Sequence, residues 1–194
     1  MWRKRRRYIH PTGQAGSRGA PVASASGDAG RTASPIAAVG LAVSLAVAAP
    51  AQAIAANVDA FSYRGWQGWA YIADGAFRHC VVTGGYADGT TLSFFYDDDG
   101  FKLAVRQPGW ALDEAEAYGV RVSVNPGLSG RVPAIAVGSD SLLLPMSGLD
   151  RPVTRLRRGY TLALEVDGLD RLTFDLTGTS VVLQRLIDCY AANG

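Results

Sequence analysis

The chain has 194 residues, 48% of them hydrophobic, with 19 Lys+Arg, 17 Asp+Glu, two cysteines and two histidines. Residues 1–53 hold seven of those bases (Arg3, Lys4, Arg5, Arg6, Arg7, Arg18, Arg31) and one acid (Asp28), so residues 54–194 keep 12 bases and 16 acids, a net charge near −4. The basic balance belongs to the first segment, and an electrostatic case for nucleic-acid binding by the remainder is excluded.

Residues 1–35 are rich in Gly, Ser, Ala and Pro and show no hydrophobic periodicity, which predicts disorder. Within them, Arg5-Arg6-Arg7-Tyr8-Ile9 resembles a twin-arginine export signal, but the 26 residues between Ile9 and Ile36 argue against that reading. Residues 36–49 are an uncharged apolar run closed by Pro50-Ala51-Gln52-Ala53. A basic start, an apolar core and small residues at Ala51 and Ala53 predict a secretory signal cut after Ala53. The run is 14 residues long, short of the roughly 20 that a spanning helix needs, so no integral membrane segment is expected after processing. The expected organisation is a signal segment over 1–53 and a single exported domain over 54–194, periplasmic or secreted.

From residue 63 onward, short runs of β-favouring residues end repeatedly in Gly, Asp, Asn or Pro. Strands are predicted at 68–73, 76–83, 90–96, 101–106, 118–124, 132–137, 141–145, 160–166 and 171–176. Asp88-Gly89, Asp99-Gly100 and Asp167-Gly168 lie between apolar runs and supply the positive φ of hairpin turns. Alternation is cleanest in Tyr118-Val120-Val122-Val124 and in Leu172-Phe174-Leu176, which predicts one buried and one wet face.

Two stretches leave this period. Leu149, Val153 and Leu156 recur at helical spacing, Pro152 suits a first turn, and Gly159 suits a left-handed stop, so 150–158 is predicted to be a short helix. Residues 179–190 open with Thr179 or Ser180 as N-cap and place Val182, Leu183, Leu186, Ile187 and Tyr190 on one stripe, a C-terminal amphipathic helix. The predicted class is mainly β: an antiparallel β-sandwich or barrel of about nine short strands, one short helix and the C-terminal helix.

Cys80 and Cys189 are the two cysteines, and an exported domain favours their pairing as a disulfide. His79 is the single histidine after residue 53, and as a strand neighbour of Cys80 it faces the opposite side. A serine triad on His79 lacks a Gly-x-Ser-x-Gly, and a zinc site lacks further nitrogen or sulfur ligands. Asp97-Asp98-Asp99-Gly100 does not match the alternate-residue spacing of a calcium loop and is expected to be a solvated turn. No catalytic residue, metal or cofactor is therefore assigned. Arg151, Arg155 and Arg158, with Arg157 beside them, form a concentrated positive patch on the predicted short helix, suited to an acidic partner. Trp66 and Trp69 are the second candidate binding group, as part of an early aromatic cluster that is otherwise expected to be core.

Several short pieces of the C-terminal half are suggestive of a known family: Pro108-Gly109-Trp110-Ala111-Leu112, the strand at 118–124, Leu156-Arg157-Arg158-Gly159, the run at 162–166, and Phe174-Asp175-Leu176-Thr177-Gly178 leading into the last helix. In this order they resemble the invasion-associated locus B proteins of proteobacteria. That resemblance implies a periplasmic or surface β-sandwich, implicated in host-cell interaction in some members and without known catalysis. The family's mid-domain Gly-Cys is absent, with Ala136-Val137-Gly138 near that position, so the disulfide pattern differs. The expected function is an exported non-enzymatic protein that binds a protein or envelope component. The alternatives are a secreted hydrolase using two carboxylates and an inhibitor acting through the loops at 125–131 or 138–141.

Overall fold

The computed structural model describes residues 7–9 and 56–194. The predicted signal run and its cleavage residues Ala51 and Ala53 lie outside the described residues. All nine predicted strands form: β3 (Trp66–Ala73), β4 (Ala76–Gly85), β5 (Thr91–Asp97), β6 (Gly100–Arg106), β7 (Ala117–Asn125), β8 (Leu128–Gly138), β9 (Ser141–Pro145), β10 (Thr161–Val166) and β11 (Leu172–Asp175). Two more were not anticipated, β1 (Arg7–Ile9) and β2 (Ala56–Tyr63). β2 was missed because Asp59 and Ser62 interrupt its apolar alternation; the strand absorbs this with a bulge between Val58 and Phe61 and a left-handed Asp59. β1 falls in the stretch expected to be disordered, and its backbone pairs in parallel with β11.

Hydrogen bonding joins the strands into one open sheet in the order β1-β11-β10-β7-β8-β9-β6-β5-β4-β3-β2, antiparallel apart from the β1 pair. The class is the mainly β one that the sequence predicts, built as a single sheet. β2 to β6 and β7 to β9 are runs of hairpins. The three expected Asp-Gly turns are present, with φ of 81°, 104° and 77° at Gly89, Gly100 and Gly168. The sheet curls, because Tyr86 at the end of β4 meets Phe174 of β11 with ring centroids 5.3 Å apart. Its concave side holds one continuous core, including Trp66, Phe94, Leu103, Val122, Leu144, Leu164 and Phe174, all buried.

Helix α1 (Pro152–Arg158) carries β9 back to β10, and α2 (Thr179–Asn193) ends the chain. α2 packs on β3, β4 and β5 and on α1, burying Val182, Leu183 and Leu186. Two predicted caps are corrected. The N-cap of α2 is Gly178 at φ 86°, with no side-chain cap bond, so neither Thr179 nor Ser180 serves. Gly159 is extended, at φ −79° and ψ 157°. It is required for space, since a Cβ there would overlap Cγ1 of Val124.

Candidate functional site

The sulfurs of Cys80 and Cys189 lie at disulfide bonding distance, with Cα atoms 6.2 Å apart. Cys80 is fully buried on the concave side, so the pair pins the last turns of α2 to β4. Closing 109 residues of chain contributes on the order of 4 to 5 kcal/mol in the chain-entropy model.

The four arginines do not make one uncompensated patch. Arg151 precedes the helix in a left-handed conformation, and Pro152 takes the first helical position. The Asp150 carboxylate lies 3.9 Å from Arg151 Nε and 3.5 Å from Arg155 Nη2, and Arg155 reaches over the turn at Gly127. Arg157 is half-buried with its Nε unpartnered among the described residues, which leaves Arg158 as an exposed cation of the group.

The two tryptophans are separated by the sheet itself. Three positions apart on β3 they face opposite sides: Trp66 is fully buried against Phe94, with ring centroids 5.6 Å apart, and Trp69 is half-buried on the convex side. Trp69 belongs to a band fixed by strand register, in which Trp69 pairs with Val81, Val81 with Phe95, and Phe95 with Lys102. Tyr71 and His79 are the next pair, stacked at 5.0 Å, and His79 meets Phe95 edge-on at 5.4 Å. Burial among these rings, opposed by the charge of Asp97 and aided by that of Lys102, holds the His79 imidazole below its ordinary pKa. A shallow groove of about 510 Å³ borders Trp69, lined by Asn57, Phe61, Ser62 and Gln67 among others.

The acidic turn is partly compensated from within. The Lys102 ammonium lies 2.7 Å from Asp97 and 3.0 Å from Asp99, while Tyr190 Oη donates to Asp98 at 3.2 Å. Burial works against the charged lysine, but the hydrogen bonds to Asp97 and Asp99 hold its pKa above the usual range. Among the described residues no group of three or more His, Cys, Asp or Glu side chains is placed to hold a metal ion. The loops considered for an inhibitor are tight hairpin turns, at 126–127 and 139–140, with a cis peptide between Asn125 and Pro126. Neither protrudes as a long loop.

A second concavity was not anticipated. It lies at the rim of the curled sheet, about 550 Å³ in volume, walled by the β2–β3 turn with Arg64, by Trp66 and Gln67, by Thr83 and Tyr86, and by Thr90 and Thr91. Of these residues Trp66 and Tyr86 are buried, and Trp66 Nε1 and Tyr86 Oη have no hydrogen-bond partner among the described residues. An orphaned buried polar atom costs about 1–3 kcal/mol, so two in one wall are a considerable concentration. Burial, with the nearby Asp175 carboxylate, pushes the Tyr86 phenol pKa well up, so it stays protonated. The sequence singles out Trp66 as an aromatic but not the pocket, which forms where the neighbouring β2–β3 and β4–β5 hairpin ends come together.

Compared with known proteins, this chain matches no family model, no curated protein and no solved structure. Among the described residues, no helix is long and apolar enough to cross a membrane.

Proposed function

We propose that this protein is exported, cut after Ala53, and acts by binding a protein or envelope component rather than by catalysis. The observation that carries this reading is the convex aromatic band of Trp69, Tyr71, His79 and Phe95, held rigid by cross-strand pairing and left half-exposed. Aromatic side chains in such a frame supply contact area at low entropic cost, which is the chemistry of interface anchors. The disulfide pair suits an oxidising compartment.

The test is cosedimentation of the oxidised protein with purified peptidoglycan and outer-membrane fractions. Trp69→Ala is expected to weaken binding at least about tenfold with its melting temperature little changed. A variant with Arg151, Arg155, Arg157 and Arg158 all replaced by alanine is expected to bind as the parent does. Binding lost in the arginine variant and kept in Trp69→Ala would move the site to α1. Binding to neither fraction, or a cellular protein whose intact mass retains residues 1–53, would sink the reading.

A further inference from the structure

The geometry points to a small-ligand site in the rim pocket, selective for a hydroxylated carboxylate such as a sugar acid. This site is separate from the convex aromatic band, and the inference does not depend on the band. Four observations carry it.

The first is the pair of orphaned atoms. The Trp66 indole only donates hydrogen bonds, and a protonated Tyr86 phenol can donate one. Both residues line the pocket, and both atoms lie beneath the accessible surface without a partner among the described residues. Buried polar groups are normally satisfied, so an acceptor-bearing occupant that these side chains turn to meet would satisfy both donors.

The second is charge. The wall contains Arg64 and no acidic residue of its own, with the Asp175 carboxylate near Tyr86, in a domain whose residues 54–194 are otherwise net negative. The Arg64 guanidinium lies 5.5 Å from the Tyr63 ring centroid, which restrains it at the mouth. A guanidinium is the side chain best shaped to grip a carboxylate through two parallel hydrogen bonds.

The third is the remaining lining. Ser62, Thr83, Thr90 and Thr91 contribute hydroxyls and Gln67 an amide, groups that match the hydroxyls of a sugar ring better than an apolar tail. The volume of about 550 Å³ falls within the usual range for a small-molecule cleft, and the open ends of curled sheets are recurrent ligand sites.

The fourth is the start of α2. A Cβ at Gly178 would lie 3.5 Å from the Tyr63 ring and 3.7 Å from Arg64 Cβ, so the N-terminus of this 15-residue helix abuts the same corner. Its positive end adds to the field that favours an anion. Thr179, the next residue, is fully buried with a third unpartnered hydroxyl.

The experiment is a titration of the full-length or processed, oxidised protein with D-glucuronate, D-glucose and acetate at matched ionic strength, followed by the indole N–H resonances. Saturable binding of glucuronate that shifts the Trp66 indole signal, with glucose and acetate at least about tenfold weaker, is the expected result. Tyr86→Phe keeps the ring and removes the hydroxyl, and is expected to lose about tenfold in affinity. Arg64 has a φ of 47°, so Arg64→Gly relieves its backbone and is expected to lose the preference for glucuronate over glucose while remaining folded. Equal binding of glucose and glucuronate, a Trp66 signal that stays fixed as glucuronate saturates, or no glucuronate binding by the folded protein would each overturn the inference.

Discussion

The convex side of the sheet is written in two different alphabets. Across β3, β4 and β5 it carries Trp69, Tyr71, His79, Val81 and Phe95, whereas across β7, β8 and β10 the corresponding positions carry Arg121, Arg131 and Glu165, with Ile135 and Val137 exposed further along β8. The charged half is a ladder: Glu165 lies 3.7 Å from Arg121 and 2.6 Å from Arg171, and Arg131 pairs with Asp167. Both halves cover the same kind of core with the same pleat, so packing alone does not explain the difference. A solvated sheet face ordinarily looks like the charged half. The aromatic half is the surface on which the proposed binding rests, whereas the charged half meets its ionic partners within the sheet face.

The comparison can be broken at its strongest point first. The disulfide pair ties α2 to β4, on the aromatic half, and nothing covalent holds the charged half. Cys189→Ser is expected to cost about 2–5 kcal/mol, measured by denaturant unfolding with and without reductant. Hydrogen exchange should rise in β3, β4 and α2 before it rises in β7 and β10. Equal loss of protection across the whole sheet would show that the two halves unfold as one unit.

A smaller effect is expected at Phe95, which is half-buried. Phe95→Ala should cost about 1–2 kcal/mol, less than the roughly 3–5 of a fully buried phenylalanine, while abolishing the binding assigned to the band. Stability lost with binding intact would separate the band from the function.

His79 sharpens the same contrast through pH. Its folded pKa lies below the ordinary value of about 6.5, so the unfolded chain takes up the proton first as pH falls. The stability contribution is complete above that value and is lost as pH drops through the folded pKa. The parent is thus expected to lose stability on acidification more steeply than His79→Gln. Parallel curves for the two proteins would show that the imidazole is not desolvated by its ring neighbours. The smallest effect belongs to the charged half, where Arg131→Ala, at an exposed pair, is expected to change stability by no more than about 0.5 kcal/mol. A larger loss would make the charge ladder structural.

Much of the fold was legible because its signals are local. Period-two alternation, Asp-Gly turns and the helical stripe of α2 are properties of adjacent residues, and each located its element to within a few positions. The terminal caps were less legible: Gly159 looked like a left-handed stop, yet its real constraint is Val124, a residue on another strand. The candidate site was least legible. Alternation does place Trp66 and Trp69 on opposite sides, but only the curl decides that the first is core and the second is surface. Likewise the spacing of the arginines on α1 was visible, and the sharing of the Asp150 carboxylate by Arg151 and Arg155 was not.

By itself, then, the sequence determined the class of fold, the pairing of Cys80 with Cys189 and the outward aim of His79, since each follows from local periodicity or from elimination among two residues. Only the tertiary structure decided that the strands form one curled sheet, that an aromatic and a charged half share its convex side, and that Arg64, Trp66, Tyr86 and the start of α2 meet at one rim. Those outcomes depend on strand order and curvature, which come from long-range pairing and the closure of a shared core, and no stretch of adjacent residues encodes them.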